Sequence, residues 1–67
     1  MKYELKDEYI ELYKLLKVLD LVDSGAQAKF LIADGYAIRN GEVETRKRAK
    51  IRKGDVIEIA DVVIEVN

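Results

Sequence analysis

Residues 24–41 read Ser-Gly-Ala-Gln-Ala-Lys-Phe-Leu-Ile-Ala-Asp-Gly-Tyr-Ala-Ile-Arg-Asn-Gly, and within them the chain changes period. Ser24-Gly25-Ala26-Gln27 has the form of a capping box, in which the Ser24 hydroxyl accepts the Gln27 amide proton and the Gln27 side chain reaches back. The helix it opens runs through Lys29, Phe30, Leu31 and Ile32. It should stop at Gly35, a residue that adopts the left-handed conformation without steric cost. Beyond Gly35 the segments are strand-like and separated by turns. Asn40-Gly41 is the strongest turn signal, because both residues tolerate the positive φ of a type I′ hairpin.

Toward the N-terminus, Leu12, Leu15, Leu16 and Leu19 recur at helical spacing and predict an amphipathic helix over Tyr9–Val22. Lys14 and Lys17 fall on its polar side, and Asp7, Glu8 and Glu11 near its start suit the helix dipole. Residues 3–6 fit either a short strand or an irregular lead. Only Val22 and Asp23 separate the two helices, which must therefore meet in a compact corner. Toward the C-terminus, Lys53-Gly54-Asp55 marks a turn. The β-branched segments Val56–Ile59 and Val62–Val66, around a break at Ala60-Asp61, should pair. The expected fold is α+β: two packed N-terminal helices followed by a small antiparallel β-sheet of four to five short strands. Its expected extent is one domain over 1–67 with its core in 9–66.

The chain has 67 residues with no Cys, His, Pro or Trp. Without Cys there is no thiolate nucleophile or disulfide, and without His the commonest metal ligand and neutral-pH general base are missing. A fold this short buries only about 60% of the surface of its unfolded chain, so a deep enclosed active-site cavity is not expected. No apolar run approaches the roughly 18 residues of a membrane span, and Met1-Lys2-Tyr3-Glu4 leads into mixed charge unlike a signal peptide. The expectation is a soluble cytoplasmic protein with no cofactor and no metal.

The net charge of −1 hides a strong polarity. Residues 1–23 hold four bases and six acids, residues 24–53 eight bases and three acids, and residues 54–67 four acids and no base. Because exposed charges beyond about 8 Å are screened at physiological salt, a partner feels the local patch. Within that basic middle third, Arg46-Lys47-Arg48-Ala49-Lys50-Ile51-Arg52-Lys53 contains six bases and no acid. As an extended strand it would point Arg46, Arg48, Lys50 and Arg52 to one side and Ala49 and Ile51 toward a core. That is a basic comb about 26 Å long, enough to follow several phosphates.

Leu15-Leu16-Lys17, Ser24-Gly25-Ala26-Gln27-Ala28-Lys29, Gly35, Asn40-Gly41-Glu42, Glu44-Thr45-Arg46-Lys47-Arg48, Lys50-Ile51 and Gly54-Asp55-Val56, in this order, resemble a known module. It is the RNA-binding domain family named after ribosomal small-subunit protein four, and the likeness covers about Tyr9 to Val66. The nearest pattern is that of the short stand-alone bacterial members, the YbcJ/YaaA-like proteins. The resemblance implies a surface made by the second helix and the following hairpin that recognises structured RNA, ribosomal or transfer. Carried over residue by residue, it implies contacts from Ser24, Gly25, Ala26 and Lys29 at the helix start. It adds Asn40, Gly41 and Glu42 at the hairpin tip and Thr45, Arg46, Lys47, Arg48 and Lys50 on the basic strand.

Independently of the family, a helix N-terminus offers unpaired amide donors, and small residues there admit a phosphate. Arg52 joins the list as the last tooth of the comb. Arg39 departs from the family pattern, which alternates with apolar residues at the places of Ala37 and Arg39. An inward arginine is costly unless paired. Either Arg39 reaches the surface at the strand end and joins the patch, or the local register differs.

Among the aromatic residues only Tyr36 lies near the basic patch in sequence, so no platform for stacking bases is expected, and recognition by shape and backbone is favoured. The leading reading is a non-catalytic, monomeric binder of structured RNA, with the ribosome as the setting the family resemblance suggests. Its competitor is a protein-interaction module, suggested by the acidic C-terminal segment and an apolar edge strand over Val62–Val66. Catalysis would rest on Glu42 and Glu44 holding a divalent ion. Duplex DNA would attract the same lysines but lacks an evident recognition helix.

Overall fold

The computed structural model describes residues 1–67 and bears out the α+β class, but a strand and not a helix comes first. The order is β1 (Lys2–Tyr3), β2 (Ile10–Glu11), α1 (Leu12–Val18), α2 (Gly25–Ala33), β3 (Ala37–Arg39), β4 (Glu42–Val43), β5 (Lys50–Ile51), β6 (Val56–Ile59) and β7 (Val62–Val66). Five strands form one sheet in the order β1-β7-β6-β3-β4, and β2 and β5 form a separate two-stranded sheet. The expected antiparallel sheet of four to five strands is thus corrected to a mixed sheet plus a ribbon. The cause is β1, which pairs parallel with β7, Lys2 opposite Glu65 and Tyr3 opposite Val66. The same pairing corrects the edge strand expected over Val62–Val66. There, Met1 O accepts from Glu65 N at 2.8 Å and Tyr3 O from Asn67 N at 2.9 Å, which covers the unpaired groups an edge would expose.

Helix α1 is shorter than its leucine spacing predicts because its first amides find partners outside the helix. Leu12 N–H donates to Ala49 O at 3.0 Å and Tyr13 N–H to Lys47 O at 3.1 Å. Glu11, at the N-cap, is extended and makes no side-chain cap. Tyr9 precedes, and Ile10 and Glu11 belong to, the ribbon with β5, so Asp7 and Glu8 lie outside the helix they were expected to start. At its other end Asp20 takes φ 60° and Leu21 N–H returns to Leu16 O at 3.1 Å. This Schellman geometry turns the chain into the corner before α2.

In α2 the capping box forms: Gln27 N–H donates to Ser24 Oγ at 3.1 Å, and Gln27 Oε1 accepts from Asp23 N at 2.6 Å. The stop at Gly35 also forms. Its φ is +88°, its N–H donates to Ile32 O, and Tyr36 N–H donates to Leu31 O. The Asn40-Gly41 turn has φ of 50° and 86°, as a type I′ hairpin requires. Leu12, Leu15, Leu16, Ala28 and Ile32 from the helices pack with Ala37, Ile57, Ile59, Ile64 and Val66 from the sheet and with Ala49 and Ile51 from the basic segment in one buried core.

The doubtful Ala37-Ile38-Arg39 strand keeps its alternation: Ala37 is fully buried and Arg39 points to the same side. The arginine is inward and paired. Its guanidinium donates to Asp55 Oδ2 at 3.0 Å and Lys50 O at 2.8 Å and lies 3.5 Å from Glu44 Oε1. Asn40 completes the knot, donating to Asp55 Oδ1 at 2.9 Å while its Oδ1 accepts from Val56 N at 2.8 Å. The β3–β4 hairpin, β5 and the turn before β6 are thereby tied at one point. Arg46 closes on Glu44 with two side-chain bonds of 3.0 and 3.1 Å. These bonds, with the Arg46 backbone N–H and Arg39, outweigh burial and hold the Glu44 carboxyl at about 2. At Asp55 burial pushes upward, but the Arg52 backbone N–H, Asn40 and Arg39 together keep it below the ordinary range.

Two predictions follow from this geometry. Replacing Gly35 with Ala imposes a side chain on a left-handed residue and should cost about 1 kcal/mol in urea unfolding, with an unchanged m-value. A carboxyl depressed in the folded state stabilises above its unfolded pKa, near 4.5, and loses that contribution as pH falls toward 2. Glu44→Gln should therefore lower stability at pH 7 by about 2 kcal/mol, less than the full linkage value because Arg46 is largely solvated, and should flatten the acid limb of the stability curve. Equal acid limbs in parent and variant would refute the assignment.

Candidate nucleic-acid interface

The basic run is not one strand. Only Lys50 and Ile51 are in a ladder, and residues 44–49 form a loop that turns at Lys47-Arg48, where Ala49 N–H donates to Arg46 O at 3.1 Å. The extended comb is corrected to a compact cluster. The reason is the bend that brings the Lys47 and Ala49 carbonyls onto the start of α1. Its alternation nevertheless survives: Ala49 and Ile51 are buried while Arg46, Arg48, Lys50 and Arg52 are exposed.

The fold interleaves acids that the linear run lacks. Arg46 is held by Glu44, Arg48 lies 3.4 Å from Glu11, and Arg52 lies 3.5 Å from Glu8. Arg39 is committed to Glu44 and Asp55. Every arginine is thus ion-paired, whereas Lys29, Lys47, Lys50 and Lys53 have no carboxylate partner. Glu11 also takes Lys14 at 3.2 Å, a hydrogen bond that draws the Glu11 carboxyl down and the Lys14 ammonium up. Exposed pairs of this kind are each worth under about 1 kcal/mol, so a phosphate can compete for Arg48 and Arg52. The bidentate Arg46–Glu44 pair is harder to displace.

Two tyrosines that the sequence placed away from the basic patch turn out to organise it. Lys29 Nζ lies 4.7 Å from the Tyr13 ring centre and Arg48 Cζ 5.6 Å, with Lys14 at 5.9 Å. The Tyr13 ring also faces the start of α2, where a Cβ on Gly25 would sit 3.9 Å from it. Tyr13 therefore joins Ser24, Gly25, Ala26 and Lys29 to the Lys47-Arg48 turn. Tyr9 lies under Lys50 at 5.1 Å and Arg52 at 5.8 Å. The cations gain from the ring quadrupole. The available signal was the pair Tyr9 and Tyr13, four residues apart at the start of the helix predicted over Tyr9–Val22. Tyr36, the aromatic residue expected nearest the patch, is exposed and carries no cation.

Arg39, Arg46, Arg48, Ala49 and Lys50 line an open groove of about 430 Å³. A second groove of similar size runs along the hairpin past Asn40, Glu42 and Glu44. Gly41 and Glu42 are exposed at the hairpin tip and Thr45 in the loop, while Asn40 spends both ends of its amide on Asp55 and Val56. Glu44 is committed to Arg39 and Arg46, and no group of three or more potential metal ligands is assembled. No helix is long and apolar enough to cross a membrane.

A family model described as S4 domain matches residues 3–67. YbcJ of Escherichia coli (strain K12) is 44% identical over 61 residues, covering 91% of this chain and 87% of that protein. A Bacillus subtilis (strain 168) protein named "Probable ribosome maturation protein RlbA" is 36% identical over 52 residues, covering 78% of this chain and 73% of its own length. The solution structure of YbcJ from E. coli, described as revealing an ALFAL motif involved in RNA-binding, superposes with a TM-score of 0.74 at 42% identity. That superposition covers 97% of this chain and 84% of the other. By the match over nearly its whole length and by these relatives, the chain belongs to the S4 domain family.

Proposed function

We propose that this protein is a non-catalytic binder of structured RNA, ribosomal or transfer, that acts in the cytoplasm as a monomer in association with the ribosome. The observation that carries the reading is the gathering of the unpaired lysines Lys29, Lys47 and Lys50 around Tyr9, Tyr13 and the start of α1, beside α2, with a fourth, Lys53, following in the chain. Family membership and the RNA-binding motif described for YbcJ support it, and the name of the B. subtilis relative supports a ribosomal setting.

In this reading Lys29 and the small residues Ser24, Gly25 and Ala26 receive one phosphate, and the Lys47-Arg48 turn with Lys50 and Arg52 receives the next ones along the strand. Gly41, Glu42 and Thr45 border the path. Arg39, Asn40 and Arg46 hold the hairpin in place and contribute field more than direct contacts, since their donors are already in use. The phosphates supply affinity and orientation but no sequence discrimination.

One observation favours a second, compatible reading as a protein-interaction module. The register places Val43, Ile38, Glu58 and Val63 in one row across the outer face of the sheet, with Val43 and Val63 exposed. Sedimentation of the nuclease-treated protein that shows only monomer, with no binding to ribosomal proteins, would count against it.

Binding to ribosomal RNA fragments, transfer RNA and duplex DNA across a salt series tests the main reading. With five or six phosphates engaged, log affinity should fall against log salt with a slope of about −4, and a slope near zero would defeat it. Lys47→Ala with Lys50→Ala should weaken binding about tenfold and make the slope shallower by about one to two. Arg46→Ala should cost less than threefold at pH 7, because its charge is already spent on Glu44; a larger loss from Arg46→Ala than from the lysine pair would reverse the proposed division of labour.

A further inference from the structure

The ribbon of β2 and β5 has a solvent face that phosphate contacts do not account for. Ile10 lies opposite Ile51 with its side chain packed on the core, and Glu11 lies opposite Lys50. Tyr9 is one residue before the ladder, so strand alternation sets its ring on the outer face beside Lys50 and Arg52. Tyr9 is 39% exposed. It forms part of the wall of an open groove of about 500 Å³, whose other lining residues are Asp7, Glu8, Ile10, Glu11 and Lys14.

We infer that this groove seats one unpaired nucleobase of the bound RNA, stacked on Tyr9, an inference that rests on the RNA-binding reading and adds to it a base-level contact. The chemistry of the walls selects a base over a backbone. Asp7, Glu8 and Glu11 repel a phosphate from the groove but accept hydrogen bonds from the amino and imino edge of a base. Lys50 and Arg52 lie over the ring, 5.1 and 5.8 Å from its centre, and on their flexible stems can swing aside to hold the phosphates on either side of a base that takes their place. An exposed aromatic ring beside cations that can track the backbone is the arrangement that stacks a base in single-stranded recognition. Tyr13 does not offer the same seat, because it is half-buried and lines none of the open grooves.

The test compares two RNA hairpins with the same stem, one fully paired and one carrying a bulge of three adenosines, for binding to the parent, Tyr9→Leu and Tyr9→Phe. The parent should prefer the bulged hairpin by about tenfold, the order expected of one base–aromatic stack. Tyr9→Leu should abolish that preference, weakening the bulged hairpin about tenfold more than the fully paired one, whose own loss reports only the release of Lys50 and Arg52 from the ring. Tyr9→Phe, which keeps the ring, should retain it. Since the chain has no Trp, tyrosine emission reports the stack directly: the bulged hairpin should quench the parent more than it quenches Tyr9→Leu. If both hairpins bind steeply with salt but alike, or if Tyr9→Leu weakens both equally, the base seat is overturned and the phosphate reading stands. If neither hairpin binds with a salt-dependent affinity, both fall together.

Discussion

The amides of Leu12 and Tyr13 donate to the carbonyls of Ala49 and Lys47, so the basic loop is the cap of helix α1. A helix start leaves orphan donors that must be met by something, and here no side chain meets them. The consequence reaches in both directions. The loop bends where it would otherwise run extended, with Ala49 and Ile51 drawn into the core. The helix begins late, which frees Ile10 and Glu11 to pair with β5 and sets Tyr9 and Tyr13 against the cations. The basic surface and the hydrophobic core are therefore built by the same few hydrogen bonds.

The charges on that surface are sorted by residue type. The arginines are fixed by carboxylates, and two of them, Arg39 and Arg46, share Glu44 in a partly desolvated knot that also takes in Asp55 and Asn40. A planar guanidinium suits such multi-partner anchoring, whereas an ammonium on a flexible stem remains free to meet a phosphate wherever the backbone passes. In the proposed reading, a frame of paired arginines carrying unpaired lysines would follow the outline of a folded RNA more than one sequence. The acidic strands β6 and β7 lie apart from this frame in the chain, and β1 closes the edge they would have exposed.

Membership of the S4 domain family agrees with the parts of the molecule whose local chemistry is strongest. Ser24 to Gln27, Gly35 and Asn40-Gly41 carried the resemblance, and each forms the cap or turn that its residues favour. The departure at Arg39 is resolved without a change of register. The arginine occupies an inward position, and Glu44, Asp55 and the Lys50 carbonyl satisfy it there.

What the sequence determined by itself was local. Leucine spacing placed a helix over 9–22, of which 12–18 forms, the capping box and Gly35 bounded the second, and the β-branched segments at 56–59 and 62–66 paired as their pattern required. Alternation around Ala49 and Ile51 told which residues of the basic run face outward even though the run is not a strand, because burial of those two side chains suffices to fix it. What tertiary structure decided was every contact between residues far apart in the chain. The linear run from Arg46 to Lys53 holds no acid, yet Glu8, Glu11, Glu44 and Asp55 are folded against it and leave only its lysines unpaired. Tyr9 and Tyr13, distant from the patch in sequence, became part of it. Tyr3 found a parallel partner 63 positions away at Val66. Local propensity reports the few dihedral angles and neighbours that a residue carries with it. Charge pairing, ring stacking and parallel strand registry depend on which surfaces the closed core brings within a few ångströms, and only the completed fold sets those distances.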